Sequence, residues 1–322
     1  MYRLILFSAL TAAAIMIAPA SEAARSQRVV FESHGDRLVG DLYLPDDYEA
    51  GDRLPAVVVT GSWTSVKEQM PARYASELAD RGFAALAFDF RNWGQSEGDR
   101  RQYENPTLKT QDIVAAAVFL AERPEVDPQH IAGLGICASA GYMAGAVADS
   151  EHLGALVLVA PWLHDAEIVD AVYGGPGGVA GLIATSRAAD QRFAETGEST
   201  MLPAASTTDE SAVMFNAPYY TEEDRGLIPE YVNQFNVASW EPWLTFDGVA
   251  IADRLGGVPV QVVHSDAAAV PQGTREFYDR LTGPKAALWL EDVGQLDFYD
   301  RPGPVSRASD AVAAYLNDAF DK

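Results

Sequence analysis

The chain has 322 residues, 48% of them hydrophobic, which is enough for one large core or for a core with a subdomain. It carries 46 acidic and 23 basic residues, and the resulting net charge of −23 at pH 7 argues against nucleic acid or anionic lipid as a partner. Its single cysteine excludes an internal disulfide.

Residues 1–23 have the pattern of a secretory signal peptide. Arg3 supplies a positive charge, residues 4–18 are apolar, and Ser-Glu-Ala at 21–23 has the small-x-small pattern of a cleavage site. We therefore expect a secreted or periplasmic protein, and an uncleaved membrane anchor is the alternative. No later segment is apolar for long enough to cross a bilayer, so we expect no membrane association once the signal is removed.

Segments with strand-like and helix-like patterns alternate along the rest of the chain. Continuous apolar runs, such as Ala-Val-Val-Val-Thr at 56–60, are typical of strands that are buried on both faces of a sheet. The predicted strands are 29–33, 38–44, 56–60, 83–88, 130–136, 155–160, 258–264 and 286–290. The predicted helices are 71–81, 110–121, 138–148, 273–281 and 305–319. This alternation predicts an α/β fold with a doubly wound, mostly parallel sheet.

The segment of about 165–246 interrupts this alternation. It contains Gly-Gly-Pro-Gly-Gly at 174–178, a helical stretch at 178–192 and an aromatic-rich stretch at 215–246. A structureless loop of this length is implausible in a compact domain. We therefore predict that residues 24–322 form one domain, and that 165–246 is a cap over the carboxyl ends of its strands, where ligands bind in such sheets.

Residues 131–141 combine a short apolar strand, a tight turn and a small-residue helix, which is the pattern of a nucleophile elbow. Cys137 occupies the nucleophile position, with the small residues Gly135 and Ser139 two places to either side. The following helix points its N-terminus at the thiol, and we expect this to lower the thiol pKa. A register with Ser139 as the nucleophile is an alternative, and a purely structural buried cysteine is another.

An acyl carbon under attack develops negative charge on its carbonyl oxygen, and backbone N–H groups must receive that charge. Ala138, immediately after the predicted nucleophile, supplies one candidate N–H group. The second is expected from the loop after the third predicted strand, where Gly61 is followed by Ser62 and Trp63. The predicted oxyanion hole therefore consists of Ala138 with Ser62 or Trp63.

These motifs resemble those of the α/β-hydrolase superfamily, and in particular its dienelactone-hydrolase-like group with a cysteine nucleophile, which includes fungal polyketide transferases. The resemblance covers essentially all of the chain after residue 23. Its motifs lie at 59–63, 89–98, 135–139, 160–165 and 297–300. The resemblance implies hydrolysis of carboxylic esters or thioesters, or acyl transfer, through a covalent intermediate on Cys137 and with a small-molecule acyl substrate. No cofactor is expected, and no metal either, because no His, Asp or Glu cluster has ligand spacing.

In that family an acid follows a late strand and a histidine precedes the final helix. Asp266 matches the acid, and we expect it to orient the side chain at the histidine position. That position, two residues before Asp297, holds Gln295, which cannot accept and return a proton near neutral pH. A thiol tolerates this loss better than a hydroxyl, because it exists partly as thiolate. The sequence thus indicates an enzyme with impaired turnover or, alternatively, a non-catalytic ligand-binding relative.

His164 is the candidate for a substitute base. It follows Ala-Pro-Trp-Leu at 160–163, at the predicted entrance to the cap, and Asp165 is beside it. Positioning the cap is the alternative role for this residue. The remaining histidines are predicted to be structural: His34, His130, His152 and His264.

Overall fold

The computed structural model describes residues 25–321, so the predicted signal at 1–23 lies outside the described residues. The strands are β1 (Arg25–Ser33), β2 (Asp36–Leu44), β3 (Leu54–Thr60), β4 (Ala84–Phe88), β5 (Val126–Ile136), β6 (Ala155–Val159), β7 (Met201–Pro203), β8 (Ala205–Ser206), β9 (Met214–Phe215), β10 (Gln234–Asn236), β11 (Val260–His264) and β12 (Lys285–Trp289).

Eight of these strands form the central sheet, in the order β1-β2-β4-β3-β5-β6-β11-β12. β1 and β2 pair in antiparallel fashion, as do β2 and β4, and the remaining neighbours are parallel. β3, β4, β5 and β6 are the middle strands, and every residue of β4 and β6 is buried. The predicted doubly wound, mostly parallel sheet is confirmed, because only helices on both faces can bury a parallel sheet in this way.

The α-helices are α1 (Met70–Ala79), α2 (Pro106–Ala121), α3 (Ser139–Asp149), α4 (Ala166–Val172), α5 (Gly175–Thr196), α6 (Trp240–Leu244), α7 (Pro271–Arg280), α8 (Asp297–Asp300) and α9 (Pro302–Phe320). Short 3₁₀ helices lie at Pro218–Tyr220, Val237–Ser239 and Ala250–Arg254. Each predicted core helix and strand is present, with its ends displaced by at most four residues. α2, for example, begins earlier than predicted because Asn105 caps it: its side-chain oxygen accepts the Leu108 N–H at 3.1 Å.

The helices form two groups that pack against the sheet. α1 packs on α9, and α2 packs on α3. Between β6 and β11 the chain leaves the sheet and forms α4, α5 and α6 with the short strands β7 to β10, where β10 pairs with β7 and β8 with β9. This stretch contains the predicted cap at 165–246, whose limits remain a prediction.

Within residues 25–321 no single helix has the length and apolar character needed to cross a membrane. Only α4 and α5 taken together pass a test of length and composition, and the chain bends by 91° between them.

Candidate active site

Cys137 sits in the turn between β5 and α3, at the carboxyl end of a central strand. Its φ of +57° lies in the left-handed region, which is uncommon and costly for a residue with a side chain. The turn is held by backbone hydrogen bonds: the Cys137 N–H donates to the Val159 carbonyl at 3.2 Å, and its own carbonyl accepts the Trp162 N–H at 2.9 Å. The neighbouring strand and the loop after it therefore fix the position of the thiol.

The residues two places to either side of Cys137 have the roles that the elbow pattern predicts. A Cβ added to Gly135 would lie 2.8 Å from the Ala140 Cα, so only glycine fits there. Ser139 is fully buried, and its hydroxyl lies 3.0 Å from the Thr60 hydroxyl and 3.2 Å from the Ile136 N–H. Its hydroxyl is therefore committed to holding the turn, which argues against the register with Ser139 as the nucleophile.

The backbone N–H groups of Ala138 and Trp63 lie near enough to the Cys137 sulfur to favour its thiolate and lower its pKa. The Trp63 ring is locked in place by stacking on Trp243, with ring centroids 4.9 Å apart. Ser62, the other predicted donor of this loop, instead places its hydroxyl 2.5 Å from the Tyr220 hydroxyl. The geometry thus favours Ala138 and Trp63 as the pair of N–H groups that faces a reacting carbonyl oxygen.

The thiol of Cys137 is 8% exposed, and burial raises its pKa. Hydrogen bonds from Tyr299, from the N–H groups of Ala138 and Trp63, and from Gln295 favour the thiolate and offset only part of this increase. The prediction that the helix N-terminus lowers the pKa is therefore wrong for the site as a whole, because desolvation outweighs the donors around the sulfur.

Gln295 lies beside the thiol, where the family pattern predicts a histidine. Its Nε2 donates to the Ala160 carbonyl at 2.9 Å and to the Tyr299 hydroxyl at 3.0 Å, and its Oε1 accepts the Ala269 N–H at 3.0 Å. These backbone partners fix which end of the amide faces Tyr299. An amide held in this way orients its neighbour and accepts no proton.

The prediction that Asp266 orients the side chain at 295 is wrong. The Asp266 side chain is 68% exposed and forms an ion pair with Arg275 at 2.5 Å, which lowers the pKa of the carboxyl group. A neutral amide at 295 offers no positive charge to a carboxylate, and its donor Nε2 is already bound to the Ala160 carbonyl and the Tyr299 hydroxyl. The guanidinium of Arg275 is therefore the better partner for Asp266.

The prediction that His164 is a substitute base is also wrong, because both of its ring nitrogens are engaged. Nδ1 accepts the indole N–H of Trp162 at 3.0 Å, and Nε2 lies 3.0 Å from the Trp243 carbonyl, to which it donates. Burial lowers the pKa of this imidazole, so it stays neutral. His164 instead ties the loop after β6 to α6, which agrees with its alternative role in positioning the cap.

A cavity of about 290 Å³ opens beside the thiol. It is lined by Trp63, Cys137, Ala138, Trp162, Val172, Tyr173, Val213, Met214, Phe215, Ala217, Tyr220, Trp243, Gln295, Leu296 and Tyr299. None of these described lining residues is charged, and the polar side chains among them are tyrosines, Gln295 and the indoles. Within residues 25–321 no group of three or more His, Cys, Asp or Glu side chains is placed to hold a metal ion.

Sequence reasoning missed Tyr299 and Tyr220, whose hydroxyls lie close to the thiol. In the sequence, Tyr299 is part of the motif at 297–300, and Tyr220 is one of many aromatic residues of the predicted cap. One sequence signal was available for the first: Gln295 and Tyr299 are four residues apart at the start of a helix, and side chains with that spacing lie on one face.

Comparisons with known proteins identify the family of this chain. Residues 34–293 match the family model of the X-Pro dipeptidyl-peptidase (S15 family). The chain is 30% identical over 295 residues to an uncharacterized protein of Pseudomonas aeruginosa, PA2218. The aligned region covers 88% of this chain and 78% of that protein. It is 26% identical to the thiohydrolase aneE of Aspergillus aculeatus, over 80% of this chain and 82% of the relative.

Solved structures give the same result for the fold. The crystal structure of the Pseudomonas aeruginosa protein PA2218 superposes with a TM-score of 0.82 at 25% identity, over 97% of this chain and 99% of that one. The alpha/beta hydrolase GrgF from Penicillium sp. sh18 superposes with a TM-score of 0.78 at 18% identity, over 92% and 100% of the two chains.

Fungal polyketide transferases are among the further relatives, so the resemblance stated from the motifs is confirmed. The α/β-hydrolase fold is confirmed as well. The relatives and structural neighbours are hydrolases and acyl transferases, and this chain is an enzyme of the same broad class. It belongs to the X-Pro dipeptidyl-peptidase (S15) family, a clade of α/β-hydrolases.

Proposed function

We propose that the protein is a carboxylic thioester or ester hydrolase, or an acyl transferase, that forms a covalent acyl intermediate on Cys137. The observation that carries this proposal is the place of the thiol. It stands on a positive-φ turn at the wall of a cavity, and the N–H groups of Ala138 and Trp63 lie near it. Such N–H groups stabilise the negative charge that develops on a carbonyl oxygen under attack.

In the first step the Cys137 sulfur bonds to the acyl carbon, the bond to the leaving group breaks, and the thiol proton ends on that leaving group. An alcohol is a much more basic leaving group than a thiol and depends more strongly on a general acid, a role that the Gln295 amide cannot fill as a histidine would. A thiol leaves more readily than the attacking Cys137 sulfur, because the pKa of the buried Cys137 is raised above the ordinary thiol value and the leaving sulfur is the less basic of the two. Thioesters are therefore the favoured substrates of this site.

In the second step the acyl group passes from Cys137 to water or to another acceptor. Water needs a general base, but the Gln295 amide cannot accept a proton, and both ring nitrogens of His164 are bound to other partners. Hydrolysis of the acyl-enzyme is then the slow step, so the intermediate accumulates and is open to capture by a stronger nucleophile.

The test uses a thioester and an oxygen ester that carry the same phenylacetyl group. Wild type, Cys137→Ala and Gln295→His are compared by release of the leaving group. We expect wild type to prefer the thioester, Cys137→Ala to lose the reaction, and Gln295→His to deacylate at least about tenfold faster, since a general base contributes about 10²- to 10⁴-fold. Equal turnover by Cys137→Ala would contradict the proposal.

The raised pKa of the Cys137 thiol favours a second candidate, a ligand-binding relative that keeps the cavity without the reaction. This candidate predicts that the intact thioester binds in the cavity and leaves unmodified protein. Recovery of unreacted substrate from a saturated complex would support it over the enzyme.

The signal pattern at 1–23 supports the further proposal that the mature protein is exported. The test is N-terminal sequencing of the protein after expression in a bacterial host. A mature chain that starts at Ala24 and is recovered from the periplasm or the medium is expected. A chain that retains Arg3 in every fraction would contradict cleavage, and a chain found only in the cytoplasm would contradict export.

A further inference from the structure

We infer that Tyr299 is a catalytic residue, which relays the proton between the Cys137 thiol and the leaving group in place of a histidine, and that Gln295 is its positioning residue. This inference rests on the proposed acyl transfer to Cys137. It assigns to the site a proton path that needs neither an imidazole nor a carboxylate.

The hydroxyl of Tyr299 contacts the amide of Gln295 and, with the Cys137 thiol, lies at the wall of the cavity. The Tyr299 side chain is 2% exposed, it lines the cavity, and its hydroxyl forms a hydrogen bond that favours the Cys137 thiolate. Gln295 Nε2 donates to the Tyr299 oxygen at 3.0 Å. That oxygen can accept the thiol proton of Cys137 beside the amide proton, and the phenolic proton can then turn toward the leaving group.

The orientation of the Gln295 amide is fixed at both ends. Its nitrogen end faces the Ala160 carbonyl at 2.9 Å, and its oxygen end faces the Ala269 N–H at 3.0 Å. A reversed amide would set two carbonyl oxygens against each other and two N–H groups against each other. Its donor end therefore always faces Tyr299, as a positioning residue requires.

The short helix that carries Tyr299 is clamped to the rest of the molecule. Arg225 binds both carboxylate oxygens of Asp300, at 2.6 and 2.7 Å, and also the Leu296 carbonyl at 3.1 Å. On the other side, the Tyr74 hydroxyl donates to the Phe298 carbonyl at 2.8 Å. Paired, partly buried contacts of this kind hold a side chain to the fraction of an ångström that proton transfer needs.

The hydrogen bonds that the other two cavity tyrosines form are made with groups other than the thiol. The Tyr220 hydroxyl lies 2.5 Å from the Ser62 hydroxyl, and the Tyr173 hydroxyl accepts the indole N–H of Trp243 at 2.8 Å. Among the described tyrosines that line the cavity, Tyr299 is the one whose hydroxyl favours the thiolate through a hydrogen bond. The relay is therefore assigned to Tyr299.

The step balances without a charged tyrosine. As the Cys137 sulfur bonds to the acyl carbon, its proton moves to the Tyr299 oxygen. The phenolic proton of Tyr299 moves to the leaving sulfur, whose bond to the acyl carbon breaks. Tyr299 ends the step unchanged. Burial and the nearby Cys137 hold the pKa of Tyr299 well above its ordinary value, so a free tyrosinate is costly and the two transfers occur together.

The test compares Tyr299→Phe with wild type and with Tyr315→Phe. The control removes a hydroxyl that lies 3.4 Å from the Pro284 carbonyl, away from the cavity. Single-turnover acylation of Cys137 is followed by intact mass, with aryl thioesters of increasing leaving-group basicity. We expect acylation of Tyr299→Phe to fall about 100-fold, in the range of general acid–base catalysis. We also expect its rate to depend more steeply on leaving-group basicity, an effect that a purely structural role would not produce.

Unchanged rates and unchanged leaving-group dependence in Tyr299→Phe, with wild type acylated, would overturn the relay and leave the proposed function standing. Failure of wild type to acylate, while iodoacetamide still modifies Cys137, would contradict the proposed function itself. If Tyr299→Phe does not fold, the relay is tested instead on the wild type, by measuring its acylation rate in mixtures of light and heavy water. A curved dependence of this rate on the deuterium fraction supports the transfer of two protons in the same step. A linear dependence overturns the relay.

Discussion

At the scale of single residues, the chemistry depends on how a buried thiol is kept reactive. Burial favours the neutral form of Cys137, and the donors around it, Tyr299, Gln295 and the two N–H groups, recover only part of the lost solvation. The thiol is therefore mostly protonated at neutral pH. Its reactivity toward acyl groups then requires that the proton leave during the attack, which is the role assigned to Tyr299.

The alkylation of Cys137 as a function of pH tests this balance. Because the thiol pKa is raised, we expect the rate with iodoacetamide to keep increasing with pH beyond the ordinary thiol value of about 8.5. Mass spectrometry of the alkylated protein gives the rate, and free glutathione is the reference. A rate that levels off below pH 7 would show a stabilised thiolate and would contradict the account.

At the scale of elements, three connections build the site: the turn between β5 and α3, the loop after β3, and α8. The first two are fixed by the sheet. α8 has only four residues, and its place depends on the tie between Arg225 and Asp300. The stretch between β6 and β11 thus contributes directly to the position of Tyr299.

Arg225→Met is expected to loosen α8. The Arg225 side chain is 6% exposed, and its loss leaves the Asp300 carboxylate without its bidentate partner. We expect the free energy of unfolding to fall by roughly 1–3 kcal/mol and acylation to slow about tenfold as Tyr299 shifts. Arg187→Met is the matched control, since Arg187 is 69% exposed in its pair with Glu241. Equal effects of the two changes on acylation would contradict the role of Arg225 in holding α8 in place.

His164→Leu tests the structural role of the buried imidazole. The change leaves the Trp162 indole N–H and the Trp243 carbonyl without their partner, at a cost of roughly 2–4 kcal/mol in the free energy of unfolding. His164→Gln keeps a donor and an acceptor and should recover part of the loss. The pH–rate profile of His164→Gln should keep the wild-type shape. If the acidic limb of the profile were lost in His164→Gln, the wild-type His164 would have to act as a base after all.

The pH dependence of stability gives His164 a further signature. Burial holds the pKa of His164 below its ordinary value of about 6.5, so the unfolded chain takes up a proton here before the folded one does. The contribution of the residue is then complete above pH of about 6.5 and is lost as the pH falls toward the lowered value. Urea unfolding of wild type and His164→Gln between pH 5 and pH 8 measures it, and a difference independent of pH would contradict the account.

The sequence predicted the elements and the tight turn at Cys137 well because both are encoded locally. The elbow needs small residues at 135 and 139, and buried strands need apolar runs. It did not predict where Asp266 points, since the end of a strand fixes a backbone position and leaves the side chain free to pair with Arg275. Nor did it predict that burial outweighs the helix N-terminus at Cys137. Both outcomes depend on tertiary surroundings.

At the scale of the whole molecule, an acidic protein encloses an uncharged cavity. The net charge is −23, and the described residues that line the cavity carry no charge. An anionic acyl group would be repelled at a distance and desolvated on entry without a cation to pair with it. The cavity therefore suits a neutral acyl group with an apolar or aromatic body.

A pair of thioesters tests this selectivity. Acylation of Cys137 by a glutaryl thioester is expected to be at least about 100-fold slower than acylation by its methyl ester, because only the former buries a carboxylate. Both acyl groups have the same chain, so size is controlled. Rates within twofold of each other would contradict a neutral acyl pocket.

The most direct test of the central claim is the intact mass of the protein during reaction with phenylacetyl thioester. The account predicts an acyl adduct that forms quickly, decays slowly and maps to Cys137, while Cys137→Ser gives none within the same period. An unmodified wild-type protein throughout the reaction, or an equal adduct on Cys137→Ser, would contradict it.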